Sequence, residues 1–172
     1  MRIRLVLGLI ALVVPMFASR ASDAPVVPCS TPAHRAFDFW LGTWNVRTPD
    51  GKLAGVNRIE RKHRGCVLHE SYRTERGYSG ESFNIYDAGR KRWHQTWVDS
   101  TGMLLQLEGG LRGTAMVLEG QTVGTDAAVT KHRITWTPKA DGSVQQLWES
   151  TDAEGRWKTT FNGTYTRVQP GQ

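Results

Sequence analysis

Two carboxylates and a set of indoles and amides are the residues of this sequence best equipped for chemistry. Glu70 lies in Val67-Leu68-His69-Glu70-Ser71. Neighbours along an extended strand point to opposite faces, so His69 and Glu70 cannot both enter one cavity. An inward Glu70 shares its face with Cys66, Leu68 and Tyr72 and becomes a semi-buried acid. Such a group has two outcomes. It titrates high and serves as a general acid or base. Or it pairs with an inward Arg, the commoner fate of a structural acid. His69 and Ser71 then face outward.

The run 92–99 carries the second constellation. Trp93, Gln95, Trp97 and Asp99 share one face, and Arg92, His94, Thr96 and Val98 share the other. A buried amide costs stability unless it is fully hydrogen-bonded. Indoles alternating with polar groups suit an amphipathic cavity, where rings supply contact area and polar groups orient a ligand. Gln106 and Gln146 also sit in apolar-leaning segments, with Val144 and Trp148 flanking Gln146 on its own face. The expected ligand-binding set is therefore Trp93, Gln95, Trp97, Gln106, Gln146 and Trp148, with Trp136 extending the aromatic wall. The expected occupant is a small hydrophobic or amphipathic molecule. The alternative is a filled interior in which the glutamines satisfy each other and the indole N–H groups, as in a structural envelope protein. A further alternative is an isomerase, cyclase or hydrolase using one inward carboxylate, Glu70 or Asp99.

Other chemistry finds little footing. The five His show no HxH or HExxH spacing, so no metal site is expected. Nucleophile-elbow, dinucleotide and phosphate-loop motifs are missing, and no cofactor is expected. Asn162-Gly163-Thr164 matches a glycosylation acceptor, but it falls in mid-strand.

The elements that must position these residues read as strands. Turn signals recur at 49–51, 64–65, 77–80, 87–89, 100–102, 109–110, 119–120, 141–142 and 153–155. Such regular short spacing is that of antiparallel strands joined by hairpins. The reading predicts strands at 41–48, 53–61, 66–75, 81–87, 91–99, 103–109, 112–119, 131–137, 143–151 and 156–168, with a longer loop near 121–129. Residues 22–36 form an arm. Thr31-Pro32 is placed to open a short helix with Thr31 as its N-cap. Phe37, Phe39 and Trp40 follow as a short amphipathic plug or an interaction patch. A long meander must manage its edges, and closure removes them. The fold class is thus all-β: an antiparallel up-and-down barrel of about 8–10 strands, with room for one small ligand.

Gly42-Thr43-Trp44, within the wider stretch Phe37-Asp38-Phe39-Trp40-Leu41-Gly42-Thr43-Trp44, resembles the lipocalins and the wider calycin group. With Gly65-Cys66, Tyr86-Asp87 and 93–99, the chain is similar to a family of small secreted bacterial lipocalin-like proteins over residues 37–168. That resemblance implies a single barrel domain and transfers no catalytic residue. It implies that Trp44 plugs the closed end and that Arg167, on the last strand, packs across it. Haem-binding relatives of the calycin group use a His on the last strand, and Trp157 to Val168 contains none.

Residues 1–21 read as a secretory signal peptide: Arg2 and Arg4, a thirteen-residue apolar run from Leu5 to Phe17, and a cut after Ala21 in Ser19-Arg20-Ala21. A spanning helix needs about 20 apolar residues, so the mature form is expected to have no membrane span. The full chain carries +6, but the leader removes Arg2, Arg4 and Arg20, leaving 22 − 3 = 19 basic against 16 acidic residues, or +3. Nucleic acid is therefore not an expected partner. The protein is expected in the periplasm or outside the cell, as a monomer or weak homodimer. In such an oxidising compartment the two cysteines, Cys29 and Cys66, are expected to form a disulfide.

Overall fold

A computed structural model of the chain describes residues 27–168. The expected leader, residues 1–21, and the first part of the arm lie outside the described residues. The described chain opens on the helix α1 (Pro32–Arg35) and a 3-10 turn at Asp38–Trp40. Ten strands follow: β1 (Gly42–Arg47), β2 (Leu53–Lys62), β3 (Val67–Arg73), β4 (Ser79–Asp87), β5 (Arg92–Asp99), β6 (Leu104–Arg112), β7 (Ala115–Val123), β8 (Val129–Pro138), β9 (Val144–Thr151) and β10 (Trp157–Arg167). Each pairs antiparallel with its sequence neighbours, and β10 returns to β1 through Trp44↔Arg167 and Val46↔Tyr165. The barrel is closed, so no edge is left to pair with another chain.

Alternation drives this arrangement. In β5, Trp93 and Gln95 are buried while Arg92 and Val98 are exposed. In β6 the buried residues are Leu105 and Leu107. Two expected turns are corrected here. Gly109-Gly110 and Glu119-Gly120 lie inside β6 and β7, which continue to Arg112 and Val123. A Cβ on Gly109 would land on the Val117 carbonyl oxygen, and one on Gly120 on the Gln106 carbonyl oxygen. These glycines let the β6 and β7 backbones approach closely where a side chain would collide. Glycine marks close backbone approach as well as turns, and composition alone does not separate the two.

The end of the barrel where β1 starts is sealed by the arm. Phe37 and Trp40 are fully buried and stack with centroids 4.9 Å apart. Phe37 also meets Trp93 and Trp136 edge-on, at 5.6 and 5.1 Å. Trp44 donates its indole N–H to the Trp40 carbonyl (2.9 Å). The Arg167 guanidinium lies over the Trp44 ring at 4.3 Å and donates to the Leu41 carbonyl at 3.0 Å. Gly42, at φ 133°, leaves the space that Arg167 fills. The Cys29–Cys66 disulfide ties the arm to the β2–β3 turn at this same end. Thr31 precedes α1 but does not cap it through its side chain. Its hydroxyl bonds His34 Nδ1 instead (2.6 Å).

Most of the basic residues at 58–64 and 90–92 are paired with acids on the surface. Arg58 and Lys62 meet Glu60, Arg61 meets Asp38, and Arg90 and Arg92 share Glu108. Among the described residues no helix is long and apolar enough to cross a membrane.

Candidate functional site

The half of the barrel away from the arm is not filled. A cavity of about 240 Å³ is lined by Glu70, Tyr72, Tyr78, Gln95, Trp97, Leu105, Ile134, Trp136, Gln146, Trp148, Thr160, Phe161 and Tyr165. These residues come from β3 and the turn after it, β5, β6, β8, β9 and β10. Tyr72, Tyr78, Trp97, Trp148 and Phe161 lie toward the turns at the open end. Glu70, Gln95, Trp136, Gln146 and Tyr165 lie toward the sealed end.

Glu70 is the centre of the polar floor. Only 4% of it is exposed. The expected inward Arg is not its partner. Instead Asn57 Nδ2 donates to Oε1 and Ser82 Oγ donates to Oε2, both at 2.6 Å. Among the described residues, no Lys or Arg pairs with this carboxylate. The bonds extend on both sides. Asn84 donates to Ser82 (2.8 Å), and Gln95 donates to Asn84 Oδ1 (2.8 Å). Asn57 Nδ2 also reaches the Tyr165 hydroxyl (3.3 Å), which donates to Gln146 Oε1. A belt of neutral polar side chains from β2, β4, β5, β9 and β10 therefore encloses one acid. Burial pushes the Glu70 carboxyl up, and the Ser82 and Asn57 donors pull it part of the way back, leaving it at about 7.

Asp99 sits at the open end and behaves differently. Burial works to raise its pKa, but donors from Thr101, Trp97 and Tyr78 outweigh it and hold the carboxyl at about 2. Tyr78 donates at 2.9 Å and Trp97 Nε1 at 3.2 Å to the same oxygen. Asp99 is thus an ionised anchor that orients two rings of the cavity wall. His132, buried beside the cavity, accepts from Trp148 Nε1 (3.2 Å) and bonds Thr122 through Nε2 (2.9 Å). Burial lowers its pKa.

The six expected binding residues separate. Gln95, Trp97, Gln146 and Trp148 line the cavity together. Trp93 does not. It shares a face with Gln95 but lies a pair of residues deeper, packed on Phe37 and donating to the Ala33 carbonyl (3.1 Å). Gln106 is corrected outright: it is exposed, because Leu105 and Leu107 on either side take the inward face. The sequence reading missed Asn57, Ser82 and Asn84. A signal for the last two was present in β4, where Ser82 and Asn84 are buried while Phe83 and Ile85 are exposed. Apolar-out, polar-in alternation marks a strand that lines a polar interior.

Among the described residues no cluster of His, Cys, Asp or Glu could hold a metal ion. The fold and cavity define a closed ten-stranded up-and-down barrel with an amphipathic interior. The chain matches no model of a known protein family, and no curated protein matches it in sequence.

Proposed function

We propose that this protein is an exported lipocalin-like binding barrel that holds one small, partly apolar molecule non-covalently. The observation that carries the reading is the 240 Å³ cavity with aromatic walls and a polar floor. Burial against the rings of Trp97, Trp136, Trp148 and Phe161 would supply affinity, and Glu70, Gln95 and Gln146 would orient the ligand. The size of the cavity favours a compact ligand over a long acyl chain. The disulfide supports the exported compartment, since such bonds persist where conditions are oxidising. Tryptophan fluorescence of the mature protein, titrated with small aromatic compounds, fatty acids and haem, tests the reading. Saturable quenching by a compact compound, weakened in Trp97→Ala, is the expected result. No saturable change with any class refutes it.

A second reading, an enzyme on the same barrel, draws on one observation. Glu70, held at about 7 by burial, faces the cavity, and among the described residues no cation pairs with it. A general acid or base works best with such a pKa. Chemical conversion of a bound compound, lost in Glu70→Gln, would favour it.

A further inference from the structure

The cavity holds one acid and, among the described residues, no Lys, Arg or His in its lining. An anionic ligand would find no counter-charge there and would face Glu70. A purely apolar ligand would leave the carboxyl without use. The carboxylate offers about four acceptor positions. Asn57 and Ser82 occupy two of them, one on each oxygen. Both donors point at the ionised form, so the floor is built around a carboxylate that can still accept from the cavity. The walls are rings whose faces attract cations, most strongly indoles. Three indoles, Trp97, Trp136 and Trp148, line the same space. At the mouth the ionised Asp99 adds negative potential along the entry path.

We propose that the ligand is a small organic ammonium ion, its charge seated on the Glu70 carboxylate and its apolar part held against the three indoles. The proposal rests on the binding reading above and names the class of ligand. When Glu70 is protonated, binding is an exchange: the carboxyl gives up a proton to solvent, and the ammonium takes its place as partner. The titratable groups facing Glu70 are Tyr72 on its own strand, Tyr78 in the turn after it and Tyr165 on β10, with His69 behind the wall on the outer face. Asn57 on β2 and Ser82 on β4 are neutral. Burial raises the Tyr72, Tyr78 and Tyr165 hydroxyls above their ordinary value, so none titrates below pH 8. Arg73 and Glu81 lie in an adjoining outer groove with Asp99.

The test uses the mature protein and three probes of matched shape: 2-phenylethylamine, 2-phenylethanol and 3-phenylpropionate. Affinities are read by calorimetry at pH 5, 6, 7 and 8. At pH 8 the amine is expected to bind at least about tenfold tighter than the alcohol, and the acid weakest. Amine affinity is expected to fall by about tenfold per pH unit below 7, with one proton released per amine bound, while alcohol binding stays flat. In Glu70→Gln the amine should lose its advantage over the alcohol. Equal or weaker binding of the amine, or tighter binding of the acid, overturns the ammonium proposal and leaves the binding barrel standing. No binding by any probe or by the wider ligand set overturns both.

Discussion

Replacing Glu70 by Gln should make the protein more stable in alkali while changing it little in acid. The carboxyl moves from 4.5 in the unfolded chain to about 7 in the fold, a rise of roughly 2.5. At 1.36 kcal/mol per unit this is about 3 kcal/mol. The folded state holds the proton more tightly than the unfolded one. Its stabilising contribution is therefore complete below pH 4.5 and is lost as pH rises through about 7. Glutamine has the same shape and never ionises. Its amide oxygen can accept from Ser82. Its N–H₂ group needs an acceptor, and turning the Asn57 amide brings Oδ1 to it. That oxygen has no partner otherwise among the described residues. The stability difference between variant and wild type should thus grow by about 3 kcal/mol from pH 4 to pH 9, or about 6–12 °C in Tm. Urea unfolding of both proteins at pH 4, 6, 7.5 and 9 measures it. Taking the difference cancels the carboxylates, such as Asp99 and Asp152, that gain stability over the same climb. A difference that stays constant with pH refutes the account of Glu70 as a buried acid with no cationic partner.

Three other outcomes follow from the packing. Trp44→Ala removes a fully buried indole and the surface under Arg167, and should cost about 3–5 kcal/mol in urea unfolding. Gly120→Ala drives a Cβ onto the Gln106 carbonyl in the close β6–β7 pair and should lower stability by about 1–3 kcal/mol or more, while Gly113→Ala, in an open turn but at positive φ, should cost about 1 kcal/mol. His132 is held neutral by burial, and its folded pKa lies below the unfolded 6.5. Its contribution is present above pH 6.5 and is lost as pH falls through the lowered folded value. Protonation also removes the acceptor for Trp148 Nε1, so a Trp148-dependent fluorescence change should accompany acidification and be missing in His132→Gln.

Much of the scaffold was legible because it is local. Period-two alternation and turn residues placed all ten strands, most within two residues of their ends. The rule that one strand face holds residues i, i+2 and i+4 put Gln95 and Trp97 on a common side and His69 opposite Glu70. The same rule, applied to Leu105 and Leu107, places Gln106 on the outer face, where the structure has it, although the sequence reading put it in the cavity. Depth along the barrel is not local. Trp93 and Trp97 share a face in sequence, yet the arm covers one and leaves the other beside the cavity. The β6–β7 glycines looked like turns because close approach between two strands is invisible along one of them.

The sequence by itself determined the alternating strands, the cysteine pair and which side chains of a strand share a face. Only the tertiary structure decided what Glu70 meets. Its partners are Ser82, twelve positions downstream and directly opposite it on β4, and Asn57, thirteen upstream, which reaches it diagonally from beside Tyr72 on β2. Register follows from the hydrophobic pattern of both strands and the geometry of the turn between them, so the pattern along one strand does not say which side chains it meets across the ladder. An Arg at either position would have made an ordinary buried ion pair. With Asn and Ser in place, the fold holds a neutral polar belt around one acid that titrates near pH 7.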